Sequence, residues 1–127
     1  MFRANSRVKL NMPRIRQLEQ ASITALEKAT EALHTEIVQA QVMPYDTGNL
    51  QNESTFPDYS ESDQGKTSIV SSTPYARRLY YHPEFNFQKH ENPNAGGEWF
   101  KDWLPGGSKK DFASEAYKSF YRKEAGL

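Results

Sequence analysis

Residues 14–42 read RIRQLEQASITALEKATEALHTEIVQAQV. Within that stretch Ile15, Leu18, Ser22, Ala25, Leu26, Ala29, Leu33, Ile37 and Ala40 recur at steps of three and four, while Glu19, Thr24, Glu27, Lys28, Glu31, Thr35 and Gln39 fall on the other side. This is the period of an amphipathic helix, uninterrupted by Gly or Pro. Pro13 stands where a helix can begin, since the first turn does not use the N–H that proline lacks. Pro44 ends it, because the residue before a proline avoids the α region. At 1.5 Å per residue the helix is roughly 40 Å long. That is long for a chain of 127 residues, so one end is expected to project. The buried stripe is rich in alanine, which favours close approach by a sheet or a second helix.

Beyond the helix, Pro44-Tyr45-Asp46-Thr47-Gly48-Asn49-Leu50 is a corner. Asp46 can accept a hydrogen bond from a backbone N–H two residues on. Gly48 can take positive φ without a Cβ penalty, and Leu50 is expected to open a strand facing the core. Leu50, Asn52, Ser54 and Phe56 would share one face of that strand, and Pro57 would close it. Residues 58–65 are polar and acidic, as befits a hairpin tip, and residues 66–72 make a second strand centred on Ile69 and Val70. Thr73 as N-cap and Pro74 at the first helical position predict a short helix over 75–81. Residues 84–107 interleave Phe85, Phe87, Trp99, Phe100 and Trp103 with prolines and glycines. Linkers lack such rings, so an ordered irregular insertion is expected, with one short strand or helical turn near Trp99. Ser108 and Asp111 form a capping-box-like pair ahead of a last helix, whose apolar face is Phe112, Ala113, Ala116, Tyr117 and Phe120. The expected class is α+β: a long N-terminal helix on a small antiparallel sheet, a short middle helix, an aromatic-rich excursion and a C-terminal helix. All of this fits one domain over 1–127, with 1–12 flexible.

Hydrophobic residues make up 36% of the chain and aromatic ones 13%, so its apolar content lies in a few large rings, many of them tyrosine. Such rings suit surfaces packed on one side and wet on the other. A core of this kind can be completed by a partner. The 16 basic and 16 acidic residues cancel, whereas a protein that coats DNA has a basic excess. The charge is nonetheless uneven. Residues 1–16 carry Arg3, Arg7, Lys9, Arg14 and Arg16 and no acid, while 44–72 carry Asp46, Glu53, Asp58, Glu61 and Asp63 against Lys66 alone. The asymmetry suits head-to-tail contacts between copies or a contact with a basic tail, and equally a solvated loop beside a mobile terminus. With no cysteine, disulfides, thiolate metal sites and cysteine nucleophiles drop out together. Neither a signal-peptide run nor a stretch of transmembrane length is visible, so use in a cytoplasm is expected.

Asp46-Thr47-Gly48 matches the active-site triplet of aspartic proteases, whose short viral forms work as dimers sharing a proton between two such carboxylates. That chemistry needs a nearly all-β frame, and only two strands are visible here, so turn chemistry is the simpler reading. His34, His82 and His90 match no zinc spacing. The glycine pairs at 96–97 and 106–107 lack the lysine and strand of a phosphate cradle. No catalytic, metal-binding or cofactor-binding set emerges, and a non-enzymatic protein is expected. Arg77 and Arg78, flanked by Tyr75, Tyr80 and Tyr81, suit either a protein interface or phosphate contact with base stacking. Zero net charge favours the protein partner. Trp99 and Trp103 carry the same ambiguity, with a satellite core as the alternative. Arg14 and Arg16 complete the candidate interface.

Taken in order, several stretches resemble the minor capsid or neck proteins of tailed bacteriophages, closest to the branch of long-tailed phages of Gram-positive hosts. They are Pro44 to Leu50; Ser72-Thr73-Pro74-Tyr75-Ala76-Arg77-Arg78-Leu79-Tyr80; Tyr81-His82-Pro83-Glu84-Phe85-Asn86-Phe87; Asn92-Pro93-Asn94-Ala95-Gly96-Gly97; and a helix ending near Phe120-Tyr121-Arg122. The resemblance covers about residues 40–125. His82-Pro83-Glu84 stands where the broader family often carries an acidic residue and Gly-Thr. The resemblance implies a virion structural protein at the head–tail junction, made in the bacterial cytoplasm. It implies a ring-like homo-oligomer that joins neighbouring connector or tail proteins, with no membrane, no cofactor, and no nucleic acid beyond DNA passing through the neck. A nucleic-acid-binding accessory protein and, remotely, a dimeric aspartic protease are the alternatives.

Overall fold

A computed structural model describes residues 9–45 and 48–127. Arg3, Arg7, Asp46 and Thr47 lie outside the described residues, and with them residues 1–8 of the segment 1–12 expected to be flexible and the expected Asx-turn.

Helix α1 spans Met12–Gln39. Asn11 caps it by accepting from the Arg14 N–H at 3.2 Å, and Pro13 occupies the first turn. Its 28 residues make a rod of about 42 Å. Its most buried positions are Ala21, Ala25, Ala29, Thr30 and Ile37, the three alanines one turn apart along one face. Helix α3, Phe112–Ala125, is its principal partner. The hydroxyls of Ser22 and Tyr117 meet at 2.8 Å, Lys28 pairs with Glu124, and Arg14 reaches the Ala125 carbonyl at 3.0 Å. The last of these places a cation on the carbonyl end of α3, where the helix dipole favours it.

The end of α1 differs from the expectation. The helix stops at Gln39, ahead of Pro44, because Gln41 turns left-handed with φ +55°. The Ala40 carbonyl that this turn frees accepts from the Asn94 side chain at 3.0 Å, and that of Val42 from the Gly96 N–H at 3.2 Å. A cap supplied from the excursion thus does the work expected of proline.

The strand expected over 50–56 is also corrected. Residues Asn49–Glu53 form one wide π-type helical turn, and Leu50 points into the core at 4% exposure rather than opening the sheet. Strand β1 is Thr55–Asp58 and pairs antiparallel with β2, Ser68–Ser71, placing Thr55 opposite Ser71 and Pro57 opposite Ile69. Pro57 therefore sits inside the strand it was expected to close, which a two-stranded sheet allows because both strands are edges. Between the strands lies a 3₁₀ turn, Ser62–Gln64, ended by Gly65. The ribbon rests on α1 through three bonds: His34 Nε2 to the Thr55 carbonyl at 3.0 Å, Thr30 to Thr67 at 2.5 Å, and Tyr59 to Glu31 at 2.5 Å.

Helix α2 is Ala76–Tyr80 and begins without a Thr73 side-chain cap; the Thr73 carbonyl instead accepts from the Ala76 N–H at 3.1 Å. Helix α3 likewise starts after Asp111 rather than from Ser108, and Ser114 bonds back to the Asp111 carbonyl. The excursion holds one 3₁₀ turn, Lys101–Trp103, near the expected place. The core gathers Ile37, Met43, Leu50, Ala76, Trp99 and Trp103 from every part of the chain. No helix among the described residues is long and apolar enough to cross a membrane.

Candidate functional site

The corner from Met43 to Leu50 is built by close approach. Gly48 has φ +85°, and a Cβ there would lie 2.8 Å from the Tyr45 hydroxyl and 2.9 Å from the Asn52 amide. Its carbonyl accepts from the Asn52 N–H at 2.8 Å and starts the wide turn that aims Leu50 inward. Pro44 is half-buried beside Met43, which is wholly buried. Asn92, 3% exposed, clamps the corner from the excursion. Its amide nitrogen donates to the Met43 carbonyl and to Gln51 Oε1, both at 2.8 Å. The sequence reading missed Asn92 and Asn94 as structural residues. The signal was the turn-forming Asn-Pro-Asn run, which says that the chain bends but not what its amides hold.

The nine candidate interface residues divide into three groups. Trp99 and Trp103 are core residues, 3% and 8% exposed. Tyr80 is half-buried against them, edge-on to Trp99 at 4.8 Å, and burial pushes its hydroxyl pKa up. Arg14 is engaged within the molecule, bonded to Gln17 and the Ala125 carbonyl, while Arg16 on the same helix is exposed. The third group is a surface: Tyr75 and Tyr81 are 45% and 66% exposed, with Arg77 and Arg78 exposed between them on α2.

This surface continues into the start of the excursion. The Arg78 guanidinium lies 5.7 Å over the Phe85 ring, which stacks on the His82 ring at 4.7 Å and 7° and tilts against Phe87. His82 Nδ1 meets a Glu84 carboxylate oxygen at 2.7 Å, and that bond holds the Glu84 pKa below its ordinary value. Pro74, Arg77, Arg78, Tyr81 and His82 surround a shallow hollow of about 440 Å³. A second hollow of about 520 Å³ opens on the other side of Tyr81, between α2, Phe100 and Ser71.

The acidic segment stands apart from this surface, at the hairpin tip. Asp58 accepts from the Ser60 N–H at 2.9 Å, which keeps its carboxyl below the usual range. Glu61 faces Lys66 at 3.5 Å in an exposed pair of the kind that contributes little to stability. Among the described residues no three of His, Asp or Glu cluster as a metal site would need. What the surface offers chemically is recognition: two guanidinium groups on a short helix, an exposed phenol at each of its ends, and stacked rings beside it.

Comparison with models of known protein families, with curated proteins and with solved structures finds no match.

Proposed function

We propose that this chain is a non-enzymatic structural protein of the head–tail junction of a tailed bacteriophage, a neck component that joins the connector to the tail as one copy of a ring. The observation that carries the reading is the ordered series of stretches from Pro44 to Arg122 that resembles phage minor capsid and neck proteins. Supporting it, the exposed surface of Tyr75, Arg77, Arg78 and Tyr81 has the composition of protein interfaces, where Tyr and Arg dominate binding energy. The acidic tip at Asp58, Glu61 and Asp63 gives the same molecule a surface of opposite sign, suited to orienting neighbouring copies.

The test is inactivation of the gene in the phage or prophage that encodes it, followed by electron microscopy of the lysate. DNA-filled heads and free tails that fail to join are expected. Infectious, fully joined virions lacking the protein would overturn the proposal.

The exposed Arg77 and Arg78 beside Tyr75 and Tyr81 also suit a second reading, binding to single-stranded nucleic acid by phosphate contact and base stacking. Titration with an oligonucleotide at several salt concentrations separates the two. A steep loss of affinity with salt supports the second reading, and no measurable binding removes it.

A further inference from the structure

The two edges of the β-ribbon are unlike. Ser72 N–H donates to the Ser54 carbonyl at 2.8 Å, and the register pairs Phe56 with Val70 two residues further along. Backbone bonds alternate along an antiparallel ladder, so Phe56 and Val70 bond to each other, while Thr55 and Pro57 on β1, and Ile69 and Ser71 on β2, turn their backbone groups outward. On the β1 side that outer edge is closed twice: Pro57 has no N–H to offer, and the Thr55 carbonyl is taken by His34 of α1. On the β2 side, no hydrogen bond among the described residues reaches the N–H or carbonyl of Ile69 or Ser71. Natural sheets cover or block such an edge unless it is used.

The open edge also has a pocket beside it. The hollow of about 520 Å³ begins at Ser71 and is walled by Tyr80, Tyr81 and Phe100 over a floor that includes Trp99. Ser71 of β2 lines it, and no residue of β1 does. Arg77 stands at its rim, and no carboxylate lines it. The indole N–H of Trp99 has no acceptor among the described residues.

From these observations we infer that the outer edge of β2 is an acceptor for an extended segment of a partner protein. That segment adds a third strand along Ile69 and Ser71, seats an apolar side chain in the aromatic hollow, and carries acidic residues that meet Arg77 and Arg78. Backbone pairing supplies affinity and the hollow selects the side chain, the division of labour usual when a peptide joins a sheet edge. A two-stranded sheet is marginal alone and gains most from a third strand. The inference does not depend on the phage reading, since it rests on the edge, the hollow and the two arginines.

The test uses the full chain and a fluorescein-labelled octapeptide of alternating Thr and Val with one Trp and two terminal Asp residues. Saturable binding is expected. N-methylation of the peptide amides along one edge should weaken it on the order of tenfold, and Arg77→Glu should do the same, because each removes one class of contact. In Ile69→Pro, which deletes an outward N–H, binding should disappear while the circular dichroism spectrum is kept. By NMR, the Ile69 and Ser71 amides should exchange fast in the free protein and slowly with peptide. Equal binding of the methylated peptide to the wild-type chain would overturn strand pairing, even if Ile69→Pro does not fold. No binding at millimolar peptide would overturn the acceptor. A wild-type dimer in sedimentation that Ile69→Pro dissolves would assign the edge to a second copy instead.

Discussion

Replacing Asn92 by alanine removes two hydrogen bonds that close the corner, those to the Met43 carbonyl and to Gln51 Oε1, both at 2.8 Å. The bond to the Met43 carbonyl is buried, so water does not readily take over that acceptor, whereas Gln51 is half-buried and water can reach its Oε1. An intramolecular hydrogen bond contributes about 1 kcal/mol net, and a buried acceptor left bare costs about 1–3 kcal/mol. Together these give an expected loss of about 2–3 kcal/mol. For a chain of 127 residues that lowers the melting temperature by about 7–11 °C. Urea unfolding followed by tryptophan fluorescence is the assay, because both tryptophans are buried in the core that the corner helps to close. The m-value should not change. Asn92→Asp separates hydrogen bonding from volume: an ionised carboxylate would face two acceptors, so its folded-state pKa must rise above the unfolded value of about 3.9. The protonated acid can restore one donor. That stability is present below the unfolded pKa and is lost as pH rises through the folded one, so the deficit of this variant should narrow on acidification. A loss below about 0.5 kcal/mol for Asn92→Ala, or an acid-independent deficit for Asn92→Asp, would refute the clamp.

Arg14→Ala should cost about 1 kcal/mol in the same assay, through the lost bond to the end of α3, whereas Arg16→Ala should stay within about 0.5 kcal/mol. Gly48→Ala should cost about 1–3 kcal/mol, since φ +85° strains any Cβ and this one would press on the Tyr45 hydroxyl. Trp99→Ala should lose about 3–5 kcal/mol, while Tyr81→Ala should leave stability almost unchanged; comparable losses would contradict the division into core and surface. Burial and the bond to Glu31 raise the Tyr59 pKa, so the stability it confers is present below the unfolded value of about 10 and is lost as pH rises through the higher folded one. Absorbance titration should show late-ionising tyrosines whose number falls by one in Tyr59→Phe, with Tyr80 remaining.

The parts of the fold legible in the sequence were those set by local chemistry. The 3.6-residue stripe of α1, Pro13 at its start and the paired strands around Ile69 follow from side-chain spacing and backbone restriction, and the α+β class with its element order is as expected. The errors share a cause. Leu50 opens a wide helical turn instead of a strand because Gly48 offers its carbonyl to Asn52, and a partial alternation over seven residues cannot register that bond. Gln41 ends α1 because Asn94, far along the chain, supplies the cap. The candidate surface was legible only as composition: the sequence grouped nine residues, and packing then buried both tryptophans and engaged Arg14. The open edge of β2 was invisible in principle, since which backbone groups face outward depends on register and on what α1 covers.

The alanine stripe of α1 has a consequence for how the chain is made. Roughly 70 residues separate the end of α1 from the start of α3, its main partner. At synthesis rates of about 5–20 residues per second, α1 waits on the order of 4–14 s before α3 can cover it. A stripe of leucines would spend that interval as a sticky surface open to chaperones, proteases and other nascent chains. Ala21, Ala25 and Ala29 expose little apolar area while they wait, and still let α3 approach closely once it arrives. The same small side chains that let α3 approach closely in the finished protein limit the apolar surface of the unfinished one.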